Sequence, residues 1–446
     1  MPGIADADPT HCMFKPGFNK YSVVDLCHPL HPDIVNNRAR RWRDSFAKMV
    51  AGSFFDRPAH QPVVAHELHY HPPIFGRLQS SYVDVEAELE VMRNNDKHKH
   101  STFMFVGGDG LAINRINHSL ARHPGKYLHT RPAVIPVQGE HPHGTCHILH
   151  MGWRPYSALV VPLLEAIGHR ECKSNFTVSD FNDHDHAMCI LIEGIARYFM
   201  YLESQAGGMP PLSHAAILEK HCASNIDLEW LFHFLRDFGF MYWEMRQAVR
   251  SNNSHAIDYI WRECVSFLHT SEANKTQYAP MAILRIFWSE ALHPALASIY
   301  HANRTISLVG LPGSNVGWDM PIEKENLMIS CNVTRPTFER ISHYVRQLNF
   351  LGPVSRSFEK VLLANQRRSP AKMKKIEADV QAIVDHLKLK VGATWADARE
   401  PRLQKDSVLV NPPRTPRPWL SVAAAAESGE FQKWVKGHID DKVPWM

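Results

Sequence analysis

Several features that would narrow the function are missing from this sequence of 446 residues. Its eight cysteines are widely spaced and include no Cys-x-x-Cys pair, which argues against a disulfide framework or a cysteine-based zinc finger. The N-terminus lacks the apolar segment of a secretory signal, and no apolar run approaches the roughly 18 residues that a transmembrane helix needs. We therefore expect an intracellular chain with free thiols and no membrane partner.

Charge excess and internal repeats are also lacking. The 49 basic residues outnumber the 45 acidic ones so narrowly, for a net charge of +4, that nucleic-acid binding is neither required nor excluded. By contrast, 44% of the residues are hydrophobic, which is enough to build a sizeable core. The most unusual number is 29 histidines, because histidine is the commonest metal ligand in proteins.

The hydrophobic pattern first predicts a small sheet. Residues 1–95 contain many prolines and indicate an irregular region. The apolar runs at 102–106 and 133–137 predict two strands, and helical spacing between them indicates a parallel β-α-β unit. Pro136 within the second run favours an edge strand or a strand end.

The rest of the chain is predicted to be largely helical. Apolar positions keep helical spacing from 156 to 302, so a helical bundle is expected there. A short strand is predicted at 306–309, followed by helices at 320–349 and 371–390. The remaining proline-rich residues predict an extended tail.

Two carboxylates follow the two predicted strands. Asp109 comes after Gly107-Gly108, and Glu140 comes after the second strand. The carboxyl ends of parallel strands are where ligands bind in α/β sheets, and carboxylates there can bind Mg²⁺. The alternative is that Asp109 only caps a helix after a glycine turn.

The segment after Glu140 is dense in histidine. Four imidazoles fall within ten residues, at His141, His143, His147 and His150. They could be zinc ligands, with Asp109 as a further one, or they could only hydrogen-bond to the backbone of a polar turn. The separate Asp-His-Asp-His run at 183–186 is interpreted as the start of a helix.

A third acidic block lies at 317–326. Asp319 precedes a predicted helix, on which Glu323 and Asn326 are three residues apart and share a face. A helix carboxylate facing two carboxylates at strand ends is the arrangement that a two-metal phosphodiesterase site needs. The alternative is an ordinary acidic cluster at a helix N-terminus.

These blocks together resemble an uncharacterised domain family of transposon-related eukaryotic proteins with RNase H-like, DDE-type transposase character. The family's first block, Gly-Asp and a basic helix, matches Gly108 to Arg115; its second, Gly-Asp-x-His, is matched more loosely by Gly139 to His143. Long helical blocks resemble residues 238–250 and 274–278, and the last block, Asp-x-x-x-Glu-x-x-Asn, matches Asp319 to Asn326. The similarity extends over roughly 100–350.

The resemblance implies a helix-rich α/β protein whose RNase H-like sheet core is interrupted by a large all-α insertion. The core would occupy 96–155 and 303–365, with the insertion at 156–302, an irregular region at 1–95 and a basic helix and tail at 366–446. Asp109, Glu140 and Glu323 would be catalytic and would bind Mg²⁺ or Mn²⁺ together with His143, supported by Asp319, Asn326 and His141. The second acid is Glu140 where the family has Asp, so an inactive, domesticated descendant is an alternative.

The implied partner is DNA, in the nucleus, and basic residues would contact its phosphates. The candidates are Arg115, Arg246, Arg250, Arg367, Arg368, Lys372, Lys374 and Lys375. The run at 367–375 also has the composition of a nuclear-import signal. Two other functions remain open: a zinc hydrolase built on His141, His143 and His147, and a non-enzymatic protein that binds nucleic acid or protein through the clusters at 38–43 and 367–375.

Overall fold

The computed structural model describes residues 9–51, 81–94, 101–108, 110–140, 145–169, 181–205, 215–270, 278–307, 311, 313–320, 333, 337, 339–340, 343–344, 347, 370–399, 409, 425–444 and 446. Within them the fold is helix-rich α/β, as predicted. The helices are α1 (Thr10–Met13), α2 (Ser22–Leu26), α3 (Pro32–Val50), α4 (Tyr82–Arg93), α5 (Gly110–Arg122), α6 (Pro124–Tyr127), α7 (Thr145–Ala166), α8 (Phe181–Gln205), α9 (Ala215–Cys222), α10 (Ile226–His233), α11 (Phe240–Ser251), α12 (Ser254–Thr270), α13 (Ala279–Ala291), α14 (Pro294–Ala302), α15 (Pro370–Lys390), α16 (Trp395–Arg399) and α17 (Glu430–Lys442). A π-helical segment, Phe234–Gly239, joins α10 to α11.

The predicted β-α-β unit is confirmed. Strands β1 (Phe103–Gly108) and β2 (Ala133–Gln138) are parallel, with Phe103 opposite Ala133 and Gly108 opposite Gln138. All six residues of β2 are buried. Within the described residues β2 pairs only with β1, so Pro136, which has no N–H to donate, lies in an edge strand as expected.

Helix α5 lies between the two strands in the chain. It is helical because its apolar residues repeat at helical spacing. Ile113, Ile116 and Leu120 are at most 3% exposed and contribute to the hydrophobic core. Since α5 begins at Gly110, its N-terminus lies close to the carboxyl end of β1. The helix thereby places residues of its first turns beside the edge of the sheet where the candidate site lies.

The described residues between 156 and 302 are largely helical, as their apolar spacing predicted. Helix α7 runs from Thr145 to Ala166 through Pro155, so the predicted division between 155 and 156 falls inside one helix. Two strands of two residues, β3 (Thr305–Ile306) and β4 (Val316–Gly317), pair antiparallel near the predicted strand at 306–309. An RNase H-like core stays a prediction, because the sheets described contain two strands each.

The described residues near both ends of the chain contain helices where irregular or extended structure was predicted. Residues 1–95 include α2, α3 and α4, and the expected extended tail includes α17. Phe431, Val435 and Ile439 of α17 are buried, and the Asp440 carboxylate accepts a hydrogen bond from the Tyr21 hydroxyl at 2.8 Å. The predicted helix at 371–390 is confirmed as α15, whereas most of 320–349 lies outside the described residues.

Candidate site at the carboxyl edge of the parallel strands

Three sequence blocks meet where β1 and β2 end. Gly107 belongs to the end of β1, Gly139 follows β2, and the segment after β4 crosses both. The Trp318 indole nitrogen donates to the Gln138 carbonyl at 3.4 Å, and the Asp319 side chain lies against Gly139. The third acidic block of the sequence therefore begins at the edge that the first two blocks form.

Glycine is required at both strand ends by this close approach. A Cβ built on Gly107 would lie 2.2 Å from Cη2 of Trp318, and a Cβ built on Gly139 would lie 1.9 Å from Oδ2 of Asp319. Both distances are far inside van der Waals contact, so any side chain here would push the 318–319 segment away. The two glycines thus allow Trp318 and Asp319 to lie directly on the strands.

Glu140 is completely buried at this edge, and both of its oxygens are engaged. Its Oε1 accepts a hydrogen bond from Nε of Arg304 at 3.0 Å, and its Oε2 accepts one from the Trp261 indole at 3.3 Å. Arg285 forms an ion pair with Oε2. The side chains of Arg285 and Arg304 are themselves at most 2% exposed.

Asp258 extends this group into a balanced network of two carboxylates and two guanidinium groups. It pairs with Arg304 and accepts a hydrogen bond from the Ser289 hydroxyl at 2.6 Å. Burial by itself would raise the pKa of Asp258, but the charges of Arg304 and His301 and the hydrogen bonds from Ser289 and Arg304 together outweigh it, so the pKa lies below its usual value. We call Glu140, Asp258, Arg285 and Arg304 the buried ion network.

The two arginines are also held by neutral groups. Arg285 donates to the Gly139 carbonyl at 2.6 Å and to the side chain of Gln138 at 3.2 Å, and its guanidinium lies 4.4 Å from the centroid of the Trp261 ring. Arg304 lies 5.6 Å from the Tyr300 ring centroid. These contacts fix the guanidinium planes and leave them pointing at Glu140.

This geometry does not fit Glu140 as a metal ligand. A carboxylate that binds Mg²⁺ must turn an oxygen lone pair to the ion, whereas both oxygens of Glu140 already accept hydrogen bonds or ion pairs. Bringing a cation next to Arg285 and Arg304 would also be repulsive. Within the described residues, no group of three or more His, Cys, Asp or Glu side chains could hold a metal.

Seven of the other predicted site residues lie outside the described residues. They are Asp109, His141, His143, Glu323, Asn326, Arg367 and Arg368. Convergence of Asp109 and Glu323 on Glu140 therefore stays a prediction, and so does a zinc site that includes His141 and His143.

The described histidines of the dense segment have structural surroundings. The buried ring of His147 lies 4.0 Å from the Tyr278 ring, centroid to centroid. Burial and the nearby charge of Arg154 lower the pKa of His150, which favours its neutral form. The Asp-His-Asp-His run is confirmed as the start of α8, with Asp183 in its first turn.

The predicted DNA-binding residues differ in their exposure and in whether an ion pair within the protein already engages them. Arg246 is 13% exposed and pairs with Asp185 at 2.6 Å, so its guanidinium group is engaged by an ion pair within the protein. Arg250 is partly buried, four residues further along α11. Lys372, Lys374 and Lys375 lie on α15, and Lys375 is exposed. Arg115 is partly exposed on α5.

The basic cluster at 38–43, a candidate contact for nucleic acid or protein, is only partly exposed: Arg41 is buried and Arg38 half-buried, whereas Arg40 and Arg43 are exposed. Arg38 pairs with Asp237 and Glu263, and Arg41 pairs with Glu244 and Glu263. Arg40 also reaches Glu244, while Arg43 is exposed. The cluster therefore joins α3 to α11, α12 and the π-helical segment by ion pairs.

Sequence reasoning missed the partners of Glu140. Arg285 stands alone within the otherwise apolar run Ala279 to Trp288, and an isolated charge in a buried helical stripe indicates an internal ion pair. That signal could have identified Arg285 as buried. It could not have identified Glu140 as the acid, because the two residues are far apart in sequence.

Comparison of the chain with protein-family models, curated proteins and solved structures gave no match. The resemblance to transposon-related proteins therefore rests on the sequence blocks alone. None of the helices that the structure describes has the length and apolarity to cross a membrane.

Proposed function

We propose that this protein is a transposase-derived, RNase H-like protein that binds DNA and no longer cleaves it. Two sets of observations support this proposal: the sequence blocks with their positions in the fold, and the surroundings of Glu140. The ordered sequence blocks resemble those of DDE-type transposases, and the blocks at β1, β2 and Trp318–Asp319 lie at one edge of the sheet. The non-catalytic form is favoured by the surroundings of Glu140.

The observation that carries the proposal is the pairing of Glu140 with Arg285 and Arg304. Freeing the carboxylate for a metal would leave two buried guanidinium groups with one acid, Asp258, to balance them. Breaking a buried ion pair typically costs about 3–5 kcal/mol. Glu140 thus acts as a structural counter-ion, and the position of the family's second catalytic acid contributes to folding.

The proposed partner is DNA, contacted by exposed basic residues outside the buried ion network. Arg122 on α5 and Lys375 on α15 are exposed, and Arg115 is partly exposed. The proposal also includes a nuclear location, supported by the basic composition at 367–375.

One experiment tests binding and cleavage on the same molecules. Fluorescently labelled single-stranded and duplex DNA are incubated with the wild type and with Asp109→Asn in Mn²⁺ at low salt, and both complex and intact length are measured. We expect salt-dependent complexes with both proteins and no cleavage above background. Cleavage by the wild type that Asp109→Asn abolishes would restore the catalytic alternative, and absence of any complex would overturn the proposal.

A further inference from the structure

A small stack of side chains with flat faces lies on α4 and α5. The guanidinium carbon of Arg115 is 4.0 Å from the centroid of the Tyr82 ring, and the His118 ring is 4.2 Å from it, tilted by 39°. We call Tyr82, Arg115 and His118 the aromatic stack. It is separate from the buried ion network.

Local sequence explains why the three side chains meet. Tyr82 is the first residue of α4, directly after Ser81, whose hydroxyl accepts a hydrogen bond from the Asp84 backbone and caps the helix. Arg115 and His118 are three residues apart on α5 and therefore share a face. His118 is exposed and the other two are partly exposed, so the stack reaches the protein surface.

The basic residues near the aromatic stack differ in whether an acidic side chain pairs with them. Towards the far end of α5, Lys126 lies 3.1 Å from Glu90, and His123 lies 3.7 Å from Glu86. Arg115, in contrast, has no ion pair among the described residues, and its buried Nε has no hydrogen-bond partner there. Positive charge that none of the described residues neutralises therefore remains beside the Tyr82 ring.

We propose that the aromatic stack is a base-stacking platform for single-stranded DNA; this inference rests on the proposed function. A ring and a guanidinium plane bind the face of an unpaired base, and the same guanidinium attracts the neighbouring phosphate. The bases of a duplex are already stacked on both faces, so duplex DNA offers this surface only its phosphates. A single strand is therefore the better partner.

The position of the platform relative to the sheet supports this occupant. Helix α5 starts at Gly110, immediately beyond the carboxyl end of β1. At 1.5 Å per residue, Arg115 lies about 8 Å along the helix from that edge. A strand stacked on Tyr82 would lie close to the edge formed by Gly107, Gly139 and Asp319.

The test is the affinity of full-length protein for labelled oligo(dT) and for a duplex of equal length, measured by fluorescence anisotropy. We expect Tyr82→Ala to weaken oligo(dT) binding about tenfold and to leave duplex binding nearly unchanged. Tyr82→Phe keeps the ring and should bind like the wild type. Arg115→Lys keeps the charge but not the plane, and it should weaken oligo(dT) binding to an intermediate extent.

Arg43→Ala, which removes an exposed arginine from α3, is the matched control for loss of charge and should change both affinities little. Circular dichroism checks that each variant is folded, and Arg115→Lys with His118→Ala tests the platform if Tyr82→Ala fails to fold. Unchanged oligo(dT) affinity in Tyr82→Ala, or in the Arg115→Lys, His118→Ala double variant, would overturn the platform. If the wild type still bound DNA, the proposed function would stand. A wild type that binds no DNA would overturn both.

Discussion

Several arginines of this protein form ion pairs within it. Arg38, Arg41, Arg246, Arg285 and Arg304 each pair with carboxylates. Of these, Arg246 and the arginines of the 38–43 cluster were predicted as possible phosphate contacts, because the sequence alone does not distinguish an arginine in an internal ion pair from one on the surface. Which acid an arginine meets depends on tertiary packing, so this part of the site could not be predicted.

A second buried cluster yields a prediction about pH. Asp237 is fully buried beside Arg38, Arg236 and His233. Burial alone would raise its pKa, but Arg236 and Arg38 outweigh burial and hold the pKa of Asp237 well below its usual range. Because the folded pKa is depressed, the stabilisation is present above the unfolded pKa of about 4 and is lost as the pH falls below it.

We therefore expect the free energy of unfolding to fall between pH 5 and pH 3 in the wild type. Asp237→Asn should lower it at pH 7 by about 3–5 kcal/mol and should flatten this pH dependence. Urea unfolding at pH 7, 5 and 3 measures both effects. Asp385→Asn, at a side chain that is 61% exposed, is the control and should behave like the wild type. Equal pH profiles for Asp237→Asn and the wild type would contradict the assignment.

At the scale of elements, periodicity predicted the helices that have long apolar stripes and missed those with short ones. The stripes of α7, α8, α10, α12 and α13 were visible in the sequence. Helices α3 and α17 were missed because their apolar positions alternate with charges and lie among prolines. The strands β1 and β2 were predictable because glycines at the end of β1 and directly after β2 mark where these apolar runs stop. The structural role of these glycines can itself be tested.

The close approach of Trp318 to Gly107 predicts a coupling between these two positions. Gly107→Ala should lower the free energy of unfolding by about 1–3 kcal/mol, because the added methyl group overlaps the indole ring. In a Trp318→Ala background the same change should cost less, with an interaction energy of at least about 0.5 kcal/mol. Denaturant unfolding of the four proteins in this cycle provides the measurement.

Gly125→Ala is a suitable control, because a Cβ at that glycine meets nothing within 4 Å. It should change stability little. If Gly107→Ala costs the same with and without Trp318, the segment after β4 does not lie on the end of β1, and the edge described above is wrong.

At the scale of the whole molecule, the described residues share one hydrophobic core that extends from Met13 to Val443. The predicted insertion is therefore continuous with the rest of the protein, and α7 runs through its predicted boundary. The β-α-β unit, the bundle and the place of Glu140 after β2 could be predicted from local patterns. The buried ion network could not, because it joins β2 to α12, α13 and the residue before β3 across long stretches of sequence.

The most direct test of the central claim is the stability of Glu140→Gln, measured by urea unfolding at pH 7. If Glu140 is the counter-ion of Arg285 and Arg304, the variant should lose about 3–5 kcal/mol of unfolding free energy. Glu377→Gln, which removes one acid of an exposed pair with Arg197, should lose far less. A Glu140→Gln protein that is as stable as the wild type, but has lost a manganese-dependent cleavage that the wild type performs, would contradict the account.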